Sequence, residues 1–373
     1  MLPDIDCVGC GACSNACPKN CLNMVADKDG FLHPEIQRDD CINCGACEKV
    51  CPVINIKSKG KESIQAYAVY AKNDNVRISS SSGGLFYTVA KYIIENDGIV
   101  YGAAFDEALY LSHIGVDSIE NLHLLRGSKY IQSDVNFCFR EIKEHLATNR
   151  PVLFCGTPCQ VEGLLCYLKK SYDNLFTLDF ICHGVPSPKA WQEYIKFQEN
   201  VFSSKAYSAS FRDKSNGWLS FSSKLKFANK KEYLEIHHED AYMKAFLQNI
   251  SLRKSCYDCK FKSVSRNSDI TMGDLWGIKN ILPHITDDKG VSVAFIQSEK
   301  GKYLLEQVKD NMWLQEIPSD LAIANNIAMV KSVCEHNFRD YFFRNLGKQD
   351  FECLVEDCLN PSYYVRLKRK LKI

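Results

Sequence analysis

The 373-residue sequence has no surplus of charge of either sign: 46 lysines and arginines stand against 45 aspartates and glutamates. A nucleic-acid binder needs a basic excess to neutralise phosphates, so nucleic acid is not an expected partner. The chain also lacks any run of 18 consecutive apolar residues, and Met1 to Cys7 carries neither the basic stretch nor the apolar core of a secretory leader. No membrane span is expected, and the chain reads as cytoplasmic. At about one to two hundred residues per domain, this length predicts two or three units with at least one sizeable core.

What the sequence has in excess is cysteine, 19 in all. In a reducing compartment so many thiols point to metal or redox chemistry rather than to a disulfide scaffold. Nine lie within residues 7–51, seven between 138 and 259, and three (Cys334, Cys353 and Cys358) near the end. Cys7-x2-Cys10-x2-Cys13-x3-Cys17-Pro18 recurs 34 residues later as Cys41-x2-Cys44-x2-Cys47-x3-Cys51-Pro52, with Gly11-Ala12 matched by Gly45-Ala46. This is an internal duplication with the spacing of bacterial two-cluster ferredoxins, in which three close thiolates wrap one cubane and the fourth reaches across to the other. Cys7, Cys10, Cys13 and Cys51 are thus expected to hold one 4Fe-4S cluster, and Cys41, Cys44, Cys47 and Cys17 the second. Structural zinc is the alternative, but zinc cages pair two C-x2-C knuckles rather than repeating three close cysteines and a distant Cys-Pro. Cys21 is left over and reads as structural. Ligation supplies folding free energy directly, which lets so small a unit fold without a large core.

Residues 55–63 are polar and lysine-rich, as a linker should be, and place a boundary near residue 62. Beyond it strands and helices alternate: a strand over Gln65–Tyr70, a helix from Gly84 to Glu95, a strand from Ile99 to Phe105, a helix around Asn136–Thr148 and a strand over Pro151–Phe154. A helix over Gln160–Lys170, a strand over Leu175–Ile181 and a helix over Pro188–Glu199 follow. Lys205–Ile236 alternates like a hairpin insertion. Strand-like Asp269–Met272 and Val291–Gln297 come next, with helices from there to the C-terminus. The predicted fold class is an α+β ferredoxin-like two-cluster module followed by a larger α/β domain, divided as residues 1–60, 62–320 and a helical extension 321–373.

Several loops carry chemistry. Ser79 to Ser82 and Gly83-Gly84 lead into an amphipathic helix, where hydroxyls, free N–H groups and the helix dipole suit a pyrophosphate such as that of FAD; an ordinary serine-capped loop reads equally well. Arg126-Gly127-Ser128-Lys129-Tyr130 could hold a phosphate or an anionic flavin ring through Lys129, or could be a solvated turn. Gly156-Thr157-Pro158-Cys159-Gln160 and Cys182-His183-Gly184-Val185-Pro186 each place one cysteine after a strand, and Cys256-x2-Cys259 adds a pair. Four thiolates suffice for a third cluster; zinc, a dithiol pair or buried apolar thiols are the other readings. His183 could donate a proton or serve a backbone turn.

Taken in order, Ser81 to Phe86, Leu125 to Tyr130, Gly156 to Gln160, Asp179 to Ser187, Cys256 to Cys259 and Asp269 to Gly277 resemble the coenzyme F420 hydrogenase/dehydrogenase beta-subunit family, over about residues 65–300. The resemblance implies an FAD-binding domain with its own 4Fe-4S cluster, passing electrons between clusters and flavin and on as hydride to or from a deazaflavin or another substrate. By motif position, Cys159, Cys182, Cys256 and Cys259 would be the ligands, with Cys155 the alternative, and Ser82, Gly83, Gly84 and Lys129 would lie near FAD. Because this chain carries its own ferredoxin module, it is similar to stand-alone bacterial versions, including those of cell-surface polysaccharide loci. Its expected partners are a redox protein such as ferredoxin and a small-molecule hydride acceptor. A non-catalytic subunit wiring a partner enzyme to the ferredoxin pool is the other function expected of such a chain.

Overall fold

A computed structural model describes residues 2–4, 6–56, 64–285 and 287–371. The boundary expected near residue 62 lies outside the described residues. The N-terminal module consists of helix α1 (Ala12–Ala16), an antiparallel hairpin of β1 (Leu22–Ala26) and β2 (Leu32–Ile36), and helix α2 (Ala46–Lys49). Gly11 and Gly45 precede the two helices with φ of 72° and 69°, a left-handed conformation that only glycine adopts without strain.

The larger unit runs β3 (Gln65–Ala71), α3 (Asp74–Ile78), α4 (Leu85–Glu95), β4 (Ile99–Phe105), β5 (Leu111–Val116), α5 (Cys138–Ala147), β6 (Val152–Gly156), α6 (Pro158–Leu168), β7 (Leu175–Phe180) and α7 (Pro188–Phe202). A separate antiparallel sheet, β8 (Ala206–Asp213), β9 (Ser222–Phe227) and β10 (Glu232–Ile236), stands where the hairpin insertion is expected. Then come α8 (Ala241–Leu247), β11 (Ile270–Asp274), α9 (Ile278–Ile281), β12 (Ser292–Ile296), α10 (Glu299–Val308), β13 (Met312–Ile317), α11 (Ser319–Ala324), α12 (Arg339–Asn345), α13 (Phe351–Leu359) and α14 (Tyr363–Leu371). Among the described residues, no helix is long and apolar enough to cross a membrane.

One mixed sheet organises this unit, in the order β13-β3-β12-β11-β7-β6-β4-β5. Its centre, β11-β7-β6-β4, is parallel. β6 and β7 are near-continuous apolar runs because both faces are covered. Leu153 and Leu178 face α4 and α10, while Val152 and Phe154 face α5 and α6. The residues that follow the parallel strands, Thr157 after β6, Cys182 after β7 and Trp276 after β11, gather at the carboxyl edge where α/β sheets bind ligands. α6 starts there on a Thr157–Gln160 capping box with Pro158 in its first turn, and α7 on Ser187 followed by Pro188.

The expectation of helices only after residue 297 is corrected by β13, and β5 is a strand that the sequence pattern does not announce. These are the two edges of the sheet. An edge strand needs no continuous apolar run: β5 contains Ser112, His113 and an exposed Gly115, and β13 exposes Gln315 and Glu316.

The N-terminal module is docked against the sheet's helices, not held at arm's length. α1 packs on α5 and α6, with Cys10 and Ala12 in one apolar cluster with Phe139, Val161 and Leu164. The Arg140 guanidinium donates to the carbonyls of Ser14, Asn15 and Cys17 at 2.8 to 3.2 Å. At the hairpin end Phe31 is buried with Trp191, Tyr242 and Phe343, and the buried Arg339 pairs with Asp29 at 3.0 Å.

Gly301 sits where α10 presses on the chain entering β11, and a Cβ there would run into the Asp269 carbonyl oxygen. Backbone cannot yield as a flexible side-chain tip can, so Gly301→Val is expected to destabilise the protein by about 3 kcal/mol. A thermal melt lowered by several degrees checks this; an unchanged melt refutes it.

Candidate functional site

Two groups of cysteines stand in largely apolar surroundings, where burial disfavours the thiolate form. Cys7, Cys10, Cys13 and Cys51, all buried, line one cavity together with Gly9, Gly11 and Pro52. The charges of Cys7, Cys13 and Cys51 act on one another, and burial pushes the Cys13 thiol up to about 12. The crossed set expected from the repeat is thus brought together for the first site. Its second half is open: Cys44 is exposed, Cys41, Cys47 and Cys17 are half-buried, and a Cβ on Gly45 would meet nothing, whereas one on Gly11 would run into Val135. Cys21, read as structural, lies with its Sγ 3.4 Å from Cys17 Sγ and close enough to Cys41 for their charges to interact.

A second cavity is lined by Cys159, Cys182, Cys256 and Cys259. Three separate pieces of chain supply them: the first turn of α6, the turn after β7, and the short helical turn at 254–256 with the residues after it. Burial raises the Cys159 thiol well above its ordinary value, and that of Cys256 to about 12. Cys155 is not among them; it lies beside Lys129 and Asp179. Around the four thiols stand Arg253, Lys262 and Arg266, three cations that the motifs did not single out. Lys262 Nζ donates to the carbonyls of Cys182 and Ala328, and Arg266 pairs with the buried Asp179 at 3.3 Å. The basic residues flanking the C-x2-C pair were a signal that could have found them. His183, weighed as a proton donor or as serving a backbone turn, has its Nε2 2.7 Å from the side-chain Oδ1 of Asn249.

The two cavities share a wall. Val8 lines both, and Cys10 of the first is near enough to Cys159 of the second for their charges to act on each other.

Among the described residues, no three His, Cys, Asp or Glu side chains converge tightly enough for a single metal ion. Each set of four thiols lines one cavity, and four thiolates converging there are the number a cubane binds at its corners. Iron would also supply the positive charge that turns buried thiols into thiolates. The residues present fit a cluster at both cavities.

The Ser/Gly loop lies at the same edge of the sheet, clamped by cations. Arg126 Nη2 donates to Ser79 Oγ and Ser80 Oγ at 2.6 and 3.1 Å, and Lys214 Nζ donates to the carbonyls of Arg77, Ser82 and Lys289. Ser82 Oγ donates to the Val291 carbonyl, Gly83 N to Ser292 Oγ, and Gly84, with φ of 92°, precedes α4. Ser128 N donates to Ser81 Oγ, which joins the 126–129 turn to the loop. Gly127 there has open space on its Cβ side, and the buried Arg126 Nε has no hydrogen-bond partner. Cationic donors with room beside them fit the pyrophosphate of a dinucleotide.

Lys129 Nζ donates to the carbonyls of Arg126 and Gly127 at 2.8 and 3.3 Å, and desolvation brings its ammonium down to about 7, against a smaller pull upward from Cys155. The folded pKa lies below the unfolded value of about 10.4, so between those values the unfolded chain holds more protons and stability rises with pH. Replacement by Lys129→Met is expected to flatten the rise in melting temperature between about pH 7 and 9, where the wild-type group titrates. Parallel melting curves for the two proteins across that window would refute the assignment.

Residues 149–320 match the family described as the C terminus of the coenzyme F420 hydrogenase/dehydrogenase beta subunit, and residues 6–55 match the 4Fe-4S dicluster domain. Among solved structures, the chain is similar to one in a xenon-derivatised F420-reducing [NiFe] hydrogenase complex from Methanosarcina barkeri. That likeness has 16% identity and a TM-score of 0.45, and covers 71% of this chain and 89% of that one. No curated protein matches.

Proposed function

This chain belongs to the coenzyme F420 hydrogenase/dehydrogenase beta-subunit family and carries a 4Fe-4S dicluster domain ahead of it, and from that premise we propose that it is an iron-sulfur flavoprotein oxidoreductase with a built-in electron path. The iron-sulfur electron-transfer character follows from the family. The proposal adds a third cluster held by Cys159, Cys182, Cys256 and Cys259, an FAD at Ser82, Gly83, Gly84 and Lys129, and a small-molecule hydride acceptor, of which a deazaflavin coenzyme is one candidate. It also divides the chain into a ferredoxin module (1–60), an FAD and iron-sulfur domain (62–320) and a helical extension (321–373).

The observation that carries it is the shared wall at Val8. Two four-thiol cavities with Val8 in the lining of both support direct exchange of electrons between them, whereas unrelated structural sites have no reason to be adjacent. When bound, the clusters would carry single electrons and FAD would convert them to a hydride equivalent. The protein's own residues do the rest. α5, α6 and Arg140 hold the first site against the second cavity, while Lys262, Arg266 and Arg253 bring positive charge to anionic thiolates. The open Cys41–Cys47 end, with Ile42, Ile54 and Ile56 exposed nearby, suits docking of a redox protein such as ferredoxin. The same open end favours, as a second reading, a subunit that wires a partner enzyme to the ferredoxin pool, for example one of surface polysaccharide synthesis.

Anaerobic purification with iron, acid-labile sulfide and released flavin counted per chain tests the reading. About twelve irons, as three cubanes require, with one FAD would support it; about eight irons and no flavin would sink it.

A further inference from the structure

Arg253 lies between the two cavities and touches what surrounds each. Its Nε donates to the Cys7 carbonyl at 2.7 Å, its Nη1 to Gln132 Oε1 at 3.4 Å and its Nη2 to His33 Nε2 at 3.0 Å, and it lines the second cavity beside Cys256. The side chain is 2% exposed. None of these partners is a carboxylate, and no described Asp or Glu makes an ion pair with it. A carboxylate joins this network one step on: Asp27 Oδ2 lies 3.5 Å from the same His33 Nε2 that accepts from Arg253. An arginine stays charged at any working pH, so this is a buried cation whose direct hydrogen-bond partners among the described residues are dipolar groups rather than carboxylates. Its positive charge favours the thiolates of both Cys7 and Cys256.

Resting on the reading that both cavities hold clusters, we propose that Arg253 is the shared counter-charge of the two facing sites, setting their reduction potentials together. Reduction adds one electron to an iron-sulfur core and raises its net negative charge by one, with no proton or bond exchanged. A fixed cation nearby favours that reduced form, and in a water-poor interior the effect is far larger than at the surface. Because one guanidinium faces both sites, it lifts both potentials. Arg253 is a positioning and tuning residue; it makes no contact with a substrate.

The test is a redox titration of the anaerobically purified full-length protein, followed by the electron paramagnetic resonance of the reduced sites. Signals are assigned through Cys159→Ser and Cys44→Ser chains, and iron and sulfide are counted in each preparation. Arg253→Gln is expected to keep its iron and to make reduction of both facing sites at least about tenfold less favourable, about 59 mV downward for a one-electron centre, while the open Cys41–Cys47 site stays put. Arg253→Lys keeps the charge but loses the planar fork, so its potentials should stay near wild type; this variant also decides the matter if the glutamine protein loses iron. Unshifted potentials in iron-replete Arg253→Gln overturn the proposal, as does a lysine variant whose potentials fall despite the retained charge. A wild-type count of about eight irons fails the three-cluster reading instead, before any variant is compared.

Discussion

Cys159→Ser is expected to cost the protein about four irons per chain while leaving the ferredoxin module loaded. Serine keeps the size and the α6 cap, because the capping oxygen belongs to Thr157 and the box is closed by Gln160. What is lost is one corner of the four-thiol ring around the second cavity, and a hydroxyl is a far poorer ligand for iron than a thiolate. Electrons delivered to the module should then no longer reach any flavin in the same chain. Cys353→Ser, at an exposed position in α13, is the control and should change nothing. An unchanged iron count in the Cys159→Ser protein would show that the four cysteines, although gathered, hold no cluster.

Gly163→Val is expected to break the electron path by another route. A Cβ at position 163 would stand 2.9 Å from Cys10 Sγ and 3.0 Å from its Cβ, so α6 and the first cluster loop approach each other only because this helical residue has no side chain. A branched side chain has to push the module off α6, at an overpacking cost of about 1–3 kcal/mol concentrated at one contact. The two cavities then separate around Val8. Loss of electron passage between module and flavin, with most iron retained, is the expected outcome; Gly163→Ala should show a milder form. Wild-type passage in the valine protein would mean that electrons cross elsewhere than between Cys10 and Cys159.

Both outcomes depend on an asymmetry that the duplicated motif does not contain. The two repeats share cysteine spacing, a Gly-Ala pair and a terminal proline, yet one is buried against α5 and α6 and the other is open. The difference lies in what surrounds them: Val135 and Gly163 close on the first repeat, while nothing comes within 4 Å of a Cβ on Gly45. Such contacts join residues more than a hundred positions apart, and no local pattern encodes them.

The alternation of central strands and helices was legible because β4, β6 and β7 are mostly buried and largely apolar, and the helices after β6 and β7 start on caps at Thr157 and Ser187. The edge strands β5 and β13 were not, since their one-sided burial leaves polar residues that read equally well as loop or helix. Cys159 and Cys182 were individually visible after strands, and Cys256-x2-Cys259 as a close pair. Lys262, Arg266 and Arg253 were ordinary basic residues until the fold turned them towards the same cavity.

The sequence by itself determined the two-cluster module, because cubane ligation is a matter of short-range spacing, and the α/β class, because burial on two faces demands apolar runs. The tertiary structure alone decided that the first module site faces the second cavity across Val8, that the other module site faces outward, and that one buried guanidinium, with no direct carboxylate partner among the described residues, lies between Cys7 and Cys256. The physical reason is range: ligand spacing acts over a few residues, whereas the burial and electrostatics that position an electron path are summed over everything packed around it.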